Sequence, residues 1–308
     1  MKTIYNFQNN ICETTTIQQK TWIHFCNPTE EERNDLLSKF QIPEAFYNDI
    51  EDNNERPRIE IEGDWNLIII RIPVKNNDDK LPFSTVPLGI LFDNNLFITL
   101  TFSESELIED FVNHTKKKKN TISSHFDLVF KLLLSSSVWY LKYLKQINLR
   151  IKIAEDNLEK SIKNEELQAL LQIEKCLVFF ITSIKGNEIL FKRIKKLKNH
   201  NEIFNEELLE DVEIELLQAE ETANIYSSIL TGMMDAYASV ISNNLNIIMK
   251  RLTSTSIILM IPTLIASFYG MNVPNALENN PLGLFIIMIC SLLLSIIGVF
   301  LFNKKNMF

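Results

Sequence analysis

Oxygen-bearing side chains recur at alternating spacings of four and three residues along one segment of the chain. Asp235, Asn246 and Thr263 belong to this polar stripe, and its other members are mostly small or polar: Ser228, Gly232, Ser239, Ser242, Met249, Thr253, Ser256, Met260, Ser267 and Gly270. A four-three spacing places these residues on one face of a helix. Such a row of carboxylate, amide and hydroxyl groups can hydrogen-bond to water along the whole helix face.

The polar stripe continues into a segment that is apolar enough to cross a bilayer. Two uncharged runs, Leu252–Tyr269 and Pro281–Phe302, would be about 27 and 33 Å long as helices, close to the thickness of membrane hydrocarbon. The first run, which contains a proline and several hydroxyls, is also compatible with a buried core helix. Polar groups at membrane depth face either protein or a water-filled lumen, so close helix packing and a pore both remain open for the hydroxyls. Asp235, Asn246 and the hexapeptide "YGMNVP" (269–274) favour the pore.

One very long helix must carry the stripe. From about Asn205 to Tyr269 the chain has one glycine and one proline, which predicts a helix of about 95 Å. A second four-three stripe lies roughly opposite the polar one, is interrupted only by Asn244, and is apolar like a coiled-coil seam: Val212, Leu216, Ala219, Ala223, Tyr226, Leu230, Met233, Tyr237, Val240 and Ile247. A single helix cannot enclose a lumen. Several copies around an axis can do so by burying the apolar stripe and turning the polar stripe inward.

The charges next to the two runs predict the orientation in the membrane. Lys250 and Arg251 precede the first run, Lys304 and Lys305 follow the second, and residues 270–280 contain no lysine or arginine. The positive-inside rule then places both termini in the cytoplasm of a multi-pass protein of the cell (inner) membrane, and the hexapeptide outside. The amino terminus lacks the apolar core of a signal peptide. The net charge of −8 argues against a general nucleic-acid binder, and the four cysteines are expected to be free thiols.

The rest of the chain divides by its patterns. The first part is expected to contain several strands, a hairpin at 86–101 and a helix at about 29–40. Two further helices are expected at 125–160 and about 165–198. The lysine run 116–119 is expected to be a polar connector between these parts. The predicted divisions are a cytoplasmic α/β domain (1–124), a cytoplasmic helical hairpin (125–204), a stalk helix continuing into the first span (205–269), an outer loop (270–280), a second span (281–303) and a cytoplasmic tail (304–308).

The tripeptide Gly270-Met271-Asn272, at the outer end of the first of two carboxy-terminal spans, resembles the motif of the CorA family of divalent-cation transport proteins. The resemblance covers most of the chain. It implies an α+β cytoplasmic domain followed by long helices and two transmembrane helices, assembled as a homopentameric, funnel-shaped channel for Mg²⁺. Five further residues coincide with pore-lining positions of the family, namely Asn246, Met249, Leu252, Met260 and Thr263.

The resemblance assigns roles to these residues. Mg²⁺ gives up its water reluctantly, so neutral oxygens suit its filter: five copies of Asn272 would form a ring, aided by the Gly270 carbonyl, and Thr263 would form a second ring. Met249, Leu252 and Met260 would form an apolar gate. Asp211 and Asp49 would bind a regulatory divalent ion between subunits that holds the channel closed, and Asp235 would contact ions near the pore entrance.

Two other functions compete with Mg²⁺ uptake. The outer loop has Pro274 where an acidic residue can occur and lacks the aromatic residues of well-known members, so transport of Zn²⁺, Co²⁺ or Ni²⁺ by the same architecture remains an alternative. Soft-metal selection would favour histidine or thiolate on the pore stripe, which has neither. An enzyme is not expected, because the four histidines are scattered and no glycine-rich phosphate loop is present. No cofactor is expected, and Mg²⁺ enters only as the transported and regulatory ion.

Overall fold

A computed structural model describes residues 2–7, 11–14, 20–76, 81–118, 121–160, 164–196, 204–271 and 281–304 of the 308-residue chain. The described residues form two compact units, Met1–Gly232 and Met233–Phe308. Their strands are β1 (Lys2–Asn6), β2 (Cys12–Glu13), β3 (Thr21–Cys26), β4 (Arg58–Glu62), β5 (Trp65–Lys75), β6 (Phe83–Phe92) and β7 (Leu96–Thr101). Their helices are α1 (Glu30–Asn34, followed by a π-helical turn at Asp35–Lys39), α2 (Glu44–Glu51), α3 (Glu106–Lys118), α4 (His125–Lys160), α5 (Asn164–Lys196), α6 (Glu206–Tyr269) and α7 (Gly283–Lys304).

The first unit is built on a seven-stranded sheet with the order β2-β1-β3-β7-β6-β5-β4. All neighbours are antiparallel except β3 and β7. Four consecutive residues of β5, Leu67 to Ile70, are fully buried, and so is Ile72. Because successive side chains of a strand point to opposite faces, β5 is covered on both faces.

Helix α2 packs closely on the sheet at Gly89 of β6. A Cβ at this position would collide with the side chain of Ile50, so only glycine allows the approach. Ile50 belongs to a fully buried cluster with Phe46, Leu67 and Ile98. This packing fixes α2, which carries Asp49.

The predicted helices are confirmed, with one correction. Helices α4, α5 and α6 match the expected 125–160, 165–198 and 205–269 within a few residues, and the hairpin β6–β7 is present. The prediction of a connector at the lysine run was wrong. Lys116–Lys118 form the last turn of α3, where positive side chains interact favourably with the negative end of the helix dipole. The opposite face of α3 is buried through Leu107, Phe111 and Val112.

The second unit contains the remainder of α6 and α7. Helix α6 continues through Pro262, and Gly298 of α7 lies against it, since a Cβ at Gly298 would be 3.4 Å from Ile261 Cδ1. Within the described part of the chain, three helices are long and apolar enough to cross a membrane. The three helices differ in how much of their most apolar 18-residue stretch is buried. The buried share is 39% in α5, 6% in α6 and 0% in α7.

Candidate ion pathway and ion-sensing carboxylates

The polar stripe of α6 is exposed along its length in the second unit. Asp235, Asn246 and Thr263 are all exposed. The three apolar residues assigned to the gate are exposed as well, at 52% for Met249, 60% for Leu252 and 65% for Met260. The continuous helix therefore places the predicted pore residues in one row, accessible to a partner or to water.

The hydroxyl groups near this row are oriented by the helix itself. Thr263 Oγ1 donates to the carbonyl of Leu259 at 3.2 Å, and Ser256 Oγ donates to the carbonyl of Leu252 at 2.9 Å. Each hydroxyl has a single proton, which these bonds occupy. The oxygen lone pairs remain available as acceptors, and this is the polarity that a cation or its bound water requires.

The Gly270-Met271-Asn272 motif begins where α6 ends. Gly270 follows the last helical residue, Tyr269, and its N–H donates to the carbonyl of Ala266 at 2.9 Å. Met271 is 54% exposed. Asn272, the predicted filter residue, lies outside the described residues, as does the outer loop up to residue 280.

The apolar stripe of α6 changes its environment along the helix. Val212, Leu216 and Leu230 are almost fully buried within the first unit, as are the alanines between them. In the second unit, Val240 is 45% exposed and Ile247 is 38% exposed. The first part of the stripe thus serves the chain's own core, and the second part remains uncovered.

Asp211 lies on the exposed side of α6 next to a row of ion pairs with α5. Lys195 of α5 donates to Glu213 at 2.8 Å, which lowers the pKa of that carboxyl group. Lys185 approaches Glu220 at 3.5 Å. No ion pair involves Asp211 among the described residues, so its carboxylate is available to a ligand.

Asp49 is engaged by an arginine that the sequence analysis did not consider. Arg58 Nη2 donates to Asp49 Oδ2 at 2.6 Å, Arg58 Nε donates to Glu60 Oε2 at 3.2 Å, and Arg58 Nη1 contacts the carboxylate of Glu55. Burial opposes the charge of the guanidinium, but these three carboxylates together raise the pKa of Arg58. We call Asp49, Glu55, Arg58 and Glu60 the Arg58 cluster.

A second arginine fixes the loop that contains Glu55. Arg71 Nη1 donates to the carbonyls of Asn53 and Glu55, at 2.7 and 2.9 Å. Arg71 Nε and Nη2 donate to Thr85 of β6. These bonds use the donors of the guanidinium, so Arg71 is a structural residue that holds the loop between α2 and β4.

The backbone of Arg71 is in turn held by α5. Asn187 is fully buried, its Oδ1 accepts from the N–H of Arg71 at 2.9 Å, and its Nδ2 donates to the Arg71 carbonyl at 2.7 Å. Strand β4 begins at Arg58, opposite Ile69, so β5 has no strand neighbour on this side at Arg71. The Asn187 amide therefore replaces a strand, which sequence periodicity does not reveal.

Among the described residues, no three His, Cys, Asp or Glu side chains of one chain are arranged so that they could hold a metal ion together. The predicted roles of Asp49, Asp211 and Asp235 therefore concern single carboxylates in this structure. Carboxylate oxygens nevertheless fit a hard divalent cation such as Mg²⁺.

The family of the chain follows from its sequence. The family model described as "CorA-like Mg2+ transporter protein" matches residues 18–305. The chain belongs to the CorA family. A cobalt/magnesium transport protein CorA from Methanocaldococcus jannaschii is 28% identical over 290 residues, which are 92% of this chain and 90% of that protein. A magnesium transport protein CorA from Helicobacter pylori strain 26695 is 22% identical over the same share of each chain.

The fold is also that of the CorA family. The complete structure of the CorA magnesium transporter from M. jannaschii has a TM-score of 0.83 at 26% identity and covers 99% of this chain and 98% of its own. The predicted α+β soluble part with long helices is thereby confirmed. CorA proteins are membrane transport proteins for divalent cations, so this chain is a membrane transporter of that class and not an enzyme.

Proposed function

We propose that this CorA protein is a passive Mg²⁺ channel formed by five copies of the chain. The observation that carries the proposal is the exposed polar stripe of α6, which remains polar through an otherwise apolar segment. In a pentamer the uncovered apolar residues of the second unit, such as Val240 and Ile247, would be buried between helices. The polar stripe would then face a common axis.

The proposed filter is a ring of Asn272 side chains with the backbone of Gly270 and Met271. Mg²⁺ keeps several of its waters, so a filter of neutral oxygens selects the hydrated ion through hydrogen bonds rather than by stripping it. The Thr263 hydroxyl donates its proton within the helix, so its oxygen can accept hydrogen bonds from the waters of the ion. This supports a second ring, formed by Thr263 hydroxyl groups, one helical turn or more below the motif. Asn246 and Asp235 would contact the ion further along.

The proposed membrane spans are the end of α6, Leu252–Tyr269, and the segment 281–303 that contains most of α7. The burial of α5 in the first unit, where Cys176, Phe180 and Phe191 are fully buried, argues against its insertion in a bilayer. We further propose that residues 1–124, the helical hairpin 125–204 and the tail 304–308 are cytoplasmic, and that residues 270–280 form the outer loop of a cell-membrane protein.

Met260 and Leu252 should act as a hydrophobic gate. A narrow apolar ring excludes water and so imposes a dehydration barrier on the ion. We expect Met260→Ser and Leu252→Ser to increase the resting Mg²⁺ conductance several-fold in planar bilayers. Phe268→Ser is the control, because Phe268 is 64% exposed on the same helix but lies about 160° around it from Leu252 and about 80° from Met260. Equal conductance in all three variants would exclude a gate at these positions.

Asp211 should take part in sensing Mg²⁺ in the cytoplasm. An ion shared between Asp211 and Asp49 of a neighbouring subunit would cancel carboxylate repulsion and favour the closed arrangement. We expect Asp211→Lys to abolish most of the Mg²⁺-dependent protection of the protein against proteolysis, since lysine supplies a fixed positive charge. Glu210→Lys makes the same charge change at an adjacent exposed position and should leave the protection unchanged. Identical protection in the two variants would remove Asp211 from the sensor.

The second candidate keeps the architecture but transports Zn²⁺, Co²⁺ or Ni²⁺. The name of the M. jannaschii relative includes cobalt, which gives this candidate its support. Oxygen ligands without thiolate or imidazole on the stripe favour Mg²⁺. Ion flux into proteoliposomes, compared for the four metals under imposed voltage and pH gradients, decides between them. Flux of Mg²⁺ that follows voltage alone supports the passive channel, whereas flux that requires a pH gradient contradicts it.

A further inference from the structure

We propose that Arg58 is a built-in competitor of the divalent ion at Asp49 and thereby sets the Mg²⁺ concentration at which the sensor responds. The inference rests on the proposed sensing role of Asp49. The observation that supports a role for Arg58 is its contact with three carboxylates, among them the 2.6 Å bond to Asp49.

The guanidinium group of Arg58 is bonded to a carboxylate oxygen of Asp49 that an incoming ion would need as a ligand. Arg58 Nη2 bonds Asp49 Oδ2, and charge-assisted bonds of this kind are among the stronger ones in proteins. A divalent ion at Asp49 must either displace this bond or bind beside a fixed positive charge. Both routes weaken binding of the ion.

The charge balance of the Arg58 cluster keeps it attractive to cations. Its three carboxylates and one guanidinium leave a formal charge of −2. The side chains of Arg58 and Asp49 are 30% and 32% exposed, so an ion from solvent can reach them. Arg58 therefore reduces the attraction without cancelling it, which suits a sensor of an abundant cellular ion rather than a site that is always filled.

The loop does not depend on Arg58 for its position. Arg71 holds the carbonyls of Asn53 and Glu55 from the other side, and the side chain of Asp52 caps the turn by accepting from the N–H of Asn54 at 2.9 Å. Pro57 next to Arg58 packs against Gly186 of α5, where a Cβ would lie 2.8 Å from Pro57 Cγ. Removal of the Arg58 charge should leave the backbone around Asp49 in place.

The test compares variants of the full-length protein in lipid nanodiscs at constant ionic strength. The readout is the Mg²⁺ concentration that gives half-maximal protection against proteolysis, supported by Mg²⁺ titration calorimetry. We expect Arg58→Gln to lower this midpoint about tenfold, the effect of removing one partly exposed charge from beside a divalent ion. Arg56→Gln makes the same charge change two residues away, on an exposed side chain, and should shift the midpoint little. Arg58→Lys keeps the charge and should stay near the wild-type midpoint.

Two further variants, Asp49→Asn and its combination with Arg58→Gln, separate the failure of this inference from failure of the sensor. Asp49→Asn should weaken the Mg²⁺ response, and in the Asp49→Asn background Arg58→Gln should shift the midpoint by much less than in the wild type. If Asp49→Asn has no effect, Asp49 is not a sensor and both proposals fall. If Asp49→Asn weakens the response but Arg58→Gln behaves like Arg56→Gln, only the competition by Arg58 is overturned. A midpoint that falls with Arg58→Gln but equally with Arg58→Lys would also overturn it, because the charge would then be irrelevant.

Discussion

Replacing Asn272 with alanine is expected to reduce Mg²⁺ flux to less than about a tenth of the wild-type rate. Each side chain would offer one amide oxygen to the waters of the ion. A hydrogen bond contributes about 1 kcal/mol and a factor of ten corresponds to about 1.4 kcal/mol, so five lost bonds exceed what a tenfold loss requires. Flux into proteoliposomes with a Mg²⁺-sensitive dye measures the effect.

The control for this variant is another asparagine of the proposed outer loop. Asn279→Ala removes an identical side chain outside the motif and should leave the flux near wild type. Both variants should elute as the same oligomer in size-exclusion chromatography, because the contacts proposed for assembly involve α6. A correctly assembled Asn272→Ala protein with undiminished flux would rule out the amide ring as the filter.

The helical part of this protein could be predicted because its signals are local. The near absence of glycine and proline between Asn205 and Tyr269 gave α6, and the uncharged run after Pro281 gave α7. The same four-three spacing that predicted the polar stripe survives in the structure as an exposed row. The sequence patterns do not predict α3, because a run of lysines is typical of a polar connector, although the apolar positions of α3 have helical spacing.

The residues that organise the candidate sensor could not be predicted in this way. Arg58 stands at the start of β4 and Asp49 on α2, and their contact depends on the turn between these elements. Asn187 is one of two polar residues, with Ser183, among the residues that α5 buries, and its partner Arg71 is 116 residues away in the chain. The contact between Asn187 and Arg71 depends on the register of α5 against β5, which a single sequence does not encode in any local pattern.

The largest expected effect on stability is that of Asn187→Leu. Arg71 lies opposite Pro87 of β6, which has no N–H, so the backbone groups of Arg71 point away from β6 and toward the side of the sheet where β4 begins. There the Asn187 amide supplies both an acceptor and a donor. Leucine fills a similar volume but leaves the Arg71 N–H buried without this acceptor, at a cost of about 2–3 kcal/mol. For a unit of this size that corresponds to a fall in Tm of roughly 5–10 °C.

Intrinsic fluorescence of the full-length protein can report this change, because its three tryptophans, Trp22, Trp65 and Trp139, all lie in the first unit. Asn113→Leu, on the exposed face of α3, is the matched control and should change the Tm little. Tyr140→Phe removes the other strong bond to the Arg71 carbonyl, 3.0 Å long, but leaves that oxygen bonded to Asn187, so we expect a smaller loss of about 1 kcal/mol. If Asn187→Leu costs no more than Asn113→Leu, the amide does not replace a strand. In that event Arg71, and with it the loop of the Arg58 cluster, must be held by the guanidinium bonds and by the Tyr140 and Ser136 bonds to its carbonyl.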